Sequence, residues 1–190
     1  MRAVLLGISW CLILAYPFVV YYGLRTLPVN ALGLALVVVA GARLLVLRQS
    51  DRAALVQDVL ALVLLCTGLY AAFSSDPRWF PFYPVMVNCI LLAVFSLSLF
   101  VGPPTVERLA RISEPDLPDY AIAYTRRVTM VWCLFFLLNG LLALYTAVAA
   151  SLQVWAWYNG LVSYLLMGVL FGGEWLVRRR VRRWHDAHAD

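Results

Sequence analysis

The residues best suited to chemistry sit in the stretch GPPTVERLARISEPDLPDYAIAYTRRV, residues 102–128, the one long polar passage in an otherwise apolar chain. Asp116 and Asp119 stand three positions apart there, like acidic pairs that hold magnesium and diphosphate. Hard cations need more oxygen ligands than this pair supplies, and no aspartate-rich context surrounds it. Glu107 and Asp58 add two more candidate acids or bases, but no nucleophile, base and orienting group stand together in a recognisable arrangement. The only histidines, His185 and His188, fall in the last six residues without further zinc ligands beside them. Cys11, Cys66, Cys89 and Cys133 each lie inside an apolar run, where a cysteine serves as a small hydrophobe. No metal and no cofactor are therefore expected, and a non-catalytic role leads.

A second group of residues is notable for being charged or amidic where its surroundings are apolar. Charge inside a membrane span is costly and by default functional, although an arginine near a helix end can snorkel to the surface. Arg43, Asp58 and Glu174 each lie about one turn inside the same end of their spans at 1.5 Å per residue, so a level charged layer is expected if those helices pack together. Asn88 and Asn139, the latter followed by Gly140, are read as packing amides that hydrogen-bond between helices.

These residues need helices to hold them, and composition says of what kind. The chain is 64% hydrophobic and 13% charged, against about 25% charged in a soluble domain. Runs of roughly 20 apolar residues cross a bilayer. By that rule the spacing predicts an all-α membrane domain over 1–190, a bundle of six transmembrane helices at 4–24, 28–47, 54–73, 84–101, 129–150 and 154–177. The first is read as a retained signal anchor kinked at Pro17, since it is long and lacks a clear cleavage site.

Orientation follows from the basic residues, all of them arginine. Arg2, Arg43, Arg48, Arg52, Arg108, Arg111, Arg126, Arg127 and the tail group Arg178, Arg179, Arg180, Arg182 and Arg183 fall on one side, and only Arg25 and Arg78 on the other. The positive-inside rule then places both termini and the 102–128 loop in the cytoplasm. On the outer side, SSDPRWFPFYP sets Trp79, Phe80, Phe82 and Tyr83 where an interfacial aromatic belt belongs. The basic excess follows topology, and no nucleic-acid-reading module accompanies it. The loop itself divides into a short amphipathic helix, Pro104 to Ile112, a Pro-rich break, and a new helix starting at Pro118 or Asp119.

Read in order, WFPFYPVMVN, GPPTVERLARISEPDLP and YTRRVTMVWCLFFLLNGLLALY resemble the small bacterial membrane proteins related to the intracellular septation protein A family, over about residues 78–177. The pieces that carry the resemblance are a proline-bearing fourth span, a D-L-P turn after a basic helix, and Trp132, Cys133, Phe135, Phe136, Asn139 and Gly140. The first half departs from the septation proteins, and the chain looks closer to a related group found with aryl polyene pigment synthesis, often labelled ketosynthases. Ketosynthase chemistry needs a nucleophilic cysteine with histidines around it in a soluble domain. With every cysteine in an apolar run and both histidines at the tail, that chemistry is rejected. The resemblance implies an inner-membrane accessory to envelope, septum or lipid-like pigment assembly, with no catalytic residues to carry over.

The expected role is thus a scaffold that docks cytoplasmic proteins through Arg108, Arg111, Asp116, Asp119, Arg126 and Arg127, while Arg178, Arg179, Arg180, Arg182 and Arg183 contact anionic lipid. Self-association is compatible with this reading. A transporter or flippase of a lipid-like product ranks second and an intramembrane lipid-modifying enzyme third.

Overall fold

The computed structural model describes residues 15–46 and 52–186, all helices and connections. In chain order the helices are α1 (Tyr16–Thr26), α2 (Val29–Val46), α3 (Arg52–Ser74), a 3-10 turn (Pro77–Phe82), α4 (Tyr83–Ser98), α5 (Thr105–Ser113), α6 (Asp119–Ala149), α7 (Leu152–Trp157), a π turn (Tyr158–Val162) and α8 (Ser163–Asp186). Three continuous helical stretches, Pro77–Ser98, Asp119–Ala149 and Leu152–Val181, are long and apolar enough to cross a membrane, and Val29–Ala42 and Asp58–Ser74 are shorter apolar segments. The expected first span begins within residues 1–14, which lie outside the described residues, and Pro17 stands in the first turn of α1, where a missing N–H costs nothing.

Two helix pairs organise the bundle: α2 packs on α3, and α4 on α6. The first pair meets backbone to backbone. A Cβ at Gly33 would lie 2.7 Å from the Gly68 carbonyl oxygen, and one at Gly68 would lie 2.8 Å from that of Gly33. In lipid there is no hydrophobic drive between helices, so close packing through small residues is what joins them. The second pair is joined by side chains, described below.

The connection between α3 and α4 is built by the sequence Asp76-Pro77 followed by Pro81. Asp76 accepts from the Arg78 N–H at 3.0 Å and caps the 3-10 turn, while its carboxylate also holds the Arg78 guanidinium at 2.8 Å. That pairing keeps the Asp76 carboxyl below its ordinary value, the Arg78 hydrogen bond being the main cause. A 3-10 turn leaves carbonyls without helical partners. Here the Tyr16 hydroxyl donates to the Phe80 carbonyl at 3.0 Å, and the Trp155 indole N–H donates to that of Pro81 at 3.0 Å. The result is a closed aromatic cluster in which Tyr16, Phe80, Tyr83 and Trp155 are all buried. Of the four residues expected in an interfacial belt, Trp79 is 52% exposed and Phe82 half-buried, whereas Phe80 at 0% and Tyr83 at 4% belong to the core. The turn faces inward because Tyr16 and Trp155 supply donors to the Phe80 and Pro81 carbonyls.

Candidate functional site

The opposite end of α4 leads into the long polar passage of residues 102–128. Helix α4 ends at Ser98, three residues before the predicted boundary, and the chain reverses at Gly102, whose φ of +79° is a conformation that glycine adopts without strain. Helix α5 then begins behind Pro104, which has no side-chain cap to offer. Its first N–H groups are satisfied from neighbouring helices. The Thr105 N–H donates to Ser98 Oγ at 2.9 Å, and the Val106 N–H to Thr129 Oγ1 at 3.4 Å. Two hydroxyls, one from α4 and one from α6, thereby fix where this short helix sits.

The charged residues of α5 are turned to the same end. Arg108 donates to the Pro103 carbonyl at 2.7 Å and the Val101 carbonyl at 3.2 Å, near the orphan carbonyls at the end of α4. Arg111 pairs with Glu107 at 2.8 Å and donates to the Pro115 carbonyl at 2.9 Å. Glu107 is only 4% exposed, so Arg111 balances a carboxylate that would otherwise be buried and alone. Arg108 and Arg111, predicted as docking residues, thus spend their donors on the chain itself. Asp116, Asp119, Arg126 and Arg127 are exposed around them.

The two amides singled out in the sequence meet between α4 and α6. Asn139 Nδ2 donates to Asn88 Oδ1 at 3.0 Å, and Asn88 Nδ2 donates to the Pro84 carbonyl at 2.8 Å. The Tyr158 hydroxyl completes the chain by donating to Asn139 Oδ1 at 2.9 Å. Next to it, Asn159 Nδ2 donates to Thr146 Oγ1 at 3.2 Å, so two consecutive residues of the π turn both reach α6. A π turn widens the helix locally and is enriched where function demands it. Tyr158 and Asn159 are legible in the sequence as polar residues within an apolar run, but the way they face is not, and the π turn itself leaves no signature.

The expected charged layer is placed as follows. Glu174, on α8, accepts from Arg178 Nε at 2.8 Å and from the Tyr124 hydroxyl at 3.4 Å, which ties it to α6. Asp58 is half-buried on α3. Arg43 lies on α2 and Arg182 on α8, but their side chains are outside the described residues. In the tail, Arg179 stacks over the Trp175 ring at 4.5 Å, while Arg180 and Arg183 are exposed. Among the described residues no group of three or more His, Cys, Asp or Glu side chains converges as a metal site.

Between α4, α5, α6 and α8 lies a cavity of about 810 Å³ that sequence reading did not anticipate. Phe95, Trp132, Phe136, Met167 and Phe171 form its apolar wall, and Tyr124, Glu174 and Arg178 stand at its polar end. Helices α6 and α8 meet across it through long side chains, with the Trp132 and Phe171 ring centroids 4.5 Å apart.

Apolar helices of membrane-spanning length, hydrogen-bonded amides within them and an arginine-rich end define a helical integral membrane protein. Three curated proteins, each named inner membrane-spanning protein YciB, are similar to it. That of Nitrosococcus oceani is 32% identical over 112 residues, 58% of this chain and 50% of the relative. That of Marinomonas sp. is 26% identical over 119 residues, 62% and 65%. That of Thioalkalivibrio sulfidiphilus is 30% identical over 114 residues, 58% and 48%. The matches thus span between about half and just under two thirds of these relatives. No family model and no solved structure matches the chain. The relatives support the resemblance to septation protein A-like proteins, and with the spanning helices they identify a multi-pass inner-membrane protein.

Proposed function

We propose that this protein is a non-catalytic accessory of the inner membrane that holds cytoplasmic proteins of envelope, septum or lipid-like polyene assembly at the bilayer. In this reading six helices cross the membrane, both termini are cytoplasmic, and the α5-bearing end faces the cytoplasm. The observation that carries it is the pinning of α5. Hydroxyl caps from two helices and the inward bonds of Arg108 and Arg111 make a stiff platform, and Asp116, Asp119, Arg126 and Arg127 are exposed beside it. A surface of mixed charge on a rigid support suits selective and reversible protein docking. Arg179, Arg180 and Arg183 add attraction to anionic lipid at about 1 kcal/mol each near the surface.

The test is copurification of the tagged chain in native nanodiscs, with partners identified by mass spectrometry against an unrelated multi-pass control. Cell-division or envelope-synthesis proteins are expected at near-stoichiometric yield, and the combined variant Asp116→Asn, Asp119→Asn, Arg126→Gln and Arg127→Gln should lose them while keeping its melting temperature. Undiminished capture by that variant would sink the docking surface. The cavity favours a lipid transporter as the second reading, which requires that deletion alter the distribution of a lipid between the two leaflets.

A further inference from the structure

The end of the bundle that carries α5 has a feature that protein docking does not use. The apolar cavity between α4, α5, α6 and α8 has the size of a small-molecule site, about 300–1,000 Å³. Along α6 its wall runs from Tyr120 to Phe136, about 24 Å at 1.5 Å per residue, of which the part from Thr129 inward, about 10 Å, lies within the expected span. Such a space, apolar and continuous from the helix end into the expected span, suits part of an acyl chain.

Charge at its polar end decides what the chain should carry. Arg178 is committed to Glu174. A second, smaller cavity shares Tyr120, Tyr124 and Val181 with the first and is lined by Arg127 of α6 and Arg180 of α8. Among the described residues neither of these two arginines enters an ion pair. Their guanidinium groups offer bidentate donors of the geometry that matches a phosphate, and they flank the place where a headgroup would emerge.

We propose that this is a binding site for an anionic glycerophospholipid of the cytoplasmic leaflet. One acyl chain lies along Phe95, Trp132, Phe136 and Phe171, and the phosphate is held between Arg127 and Arg180. The occupied site ties α8 to α6 at the end where the Tyr124 hydroxyl and the Trp132–Phe171 contact join those helices. The lipid site shares Arg127 with the proposed docking surface, and Glu114, Leu117, Pro118 and Tyr120 beside Asp116 and Asp119 line the cavity, so the two are told apart by Arg180→Gln, which alters the phosphate site alone, and by Asp116→Asn with Asp119→Asn, which alters the docking surface alone.

The experiment uses the full chain in nanodiscs containing a phosphatidylglycerol with a photoreactive group near the end of one acyl chain, or the matching phosphatidylcholine. Crosslinked peptides are mapped by mass spectrometry. The anionic probe is expected to label the cavity wall on α4, α6 and α8 roughly thirtyfold more than the neutral one, the weight of two arginines facing one phosphate. Arg127→Gln with Arg180→Gln should remove that preference without changing the melting temperature. Gly172→Leu, at another cavity-lining position, should lower wall labelling by both probes, and Ala121→Leu serves as a second filling variant should the first misfold. Labelling spread evenly over exposed residues such as Leu141, Val148 and Leu165 would overturn the site. Equal wall labelling by both probes would overturn the anionic assignment, and displacement of the probe by a polyprenyl phosphate at equal mole fraction would overturn the phospholipid as occupant.

Discussion

The two ends of helix α4 solve the same problem in opposite ways. At its N-terminal end, Tyr16, Phe80, Tyr83 and Trp155 close on one another, and the exposed carbonyls of the 3-10 turn are taken up by the Tyr16 and Trp155 donors. At its C-terminal end, Phe95, Trp132, Phe136 and Phe171 are just as aromatic but surround an 810 Å³ cavity. The difference lies in where the polar groups point. In the closed cluster the hydrogen bonds come from the cluster's own aromatics, Tyr16 and Trp155. In the open one Tyr124, Glu174 and Arg178 stand at the rim and leave the interior to apolar side chains. One end is thereby closed by its own donors, and the other keeps an open cavity.

The strongest way to break this comparison is to remove one aromatic from each end. Trp155→Ala takes a side chain that is 1% exposed together with its hydrogen bond, and unfolding in detergent should show a loss of about 3–4 kcal/mol. Trp132→Ala borders space that already exists and should cost about half as much, roughly 1.5–2 kcal/mol. Equal losses would erase the distinction between the ends.

Next in size is the backbone contact of α2 and α3, a region with neither kind of polar stitching. Gly68→Val places a side chain against the Gly33 carbonyl, and the helices must part at a cost of about 2–3 kcal/mol. An unchanged melting temperature would show that their contact bears little load.

The amide chain between the two ends sharpens the comparison. Asn139→Leu strands Asn88 Oδ1 and the Tyr158 hydroxyl, with an expected loss of about 1–2 kcal/mol. Asn88→Leu with Asn139→Leu should cost less than the sum of the single changes, because no buried partner is left waiting across the α4–α6 contact. Additive losses in a double-mutant cycle would mean that the two amides act separately.

The smallest effect belongs to the Asp76–Arg78 pair on the exposed rim of the closed end. Its carboxyl lies below the ordinary value through the Arg78 hydrogen bond. A depressed carboxylate stabilises the fold above its unfolded pKa and loses that contribution as pH falls through the folded one. Melting followed from pH 7 down to pH 5 should therefore show no change attributable to this pair, and Asp76→Asn should leave that profile unmoved.

Sequence periodicity and hydropathy were enough to locate α4, α6 and α8, because their apolar runs are long. Asn88 and Asn139 were legible as partners because each is an amide set in hydrocarbon. Arg108 and Arg111 were read as surface contacts, since sequence shows their charge but not the carbonyls of Val101, Pro103 and Pro115 that claim it. Phe80 and Tyr83 looked interfacial because the donors that draw the turn inward, Tyr16 and Trp155, lie 64 and 74 residues away from the carbonyls they bind. The cavity had no sequence signal at all, being a gap between four helices, each ordinary on its own.

The account depends most on the open, α5-bearing end facing the cytoplasm. In a variant with its native cysteines replaced, Asp116→Cys and Arg78→Cys would be introduced singly and exposed in intact cells to a maleimide that cannot cross the inner membrane. The account predicts labelling at position 78 from outside, and at position 116 only after the inner membrane is opened. Labelling at 116 in intact cells would reverse the orientation and contradict both the docking surface and the cytoplasmic-leaflet lipid site.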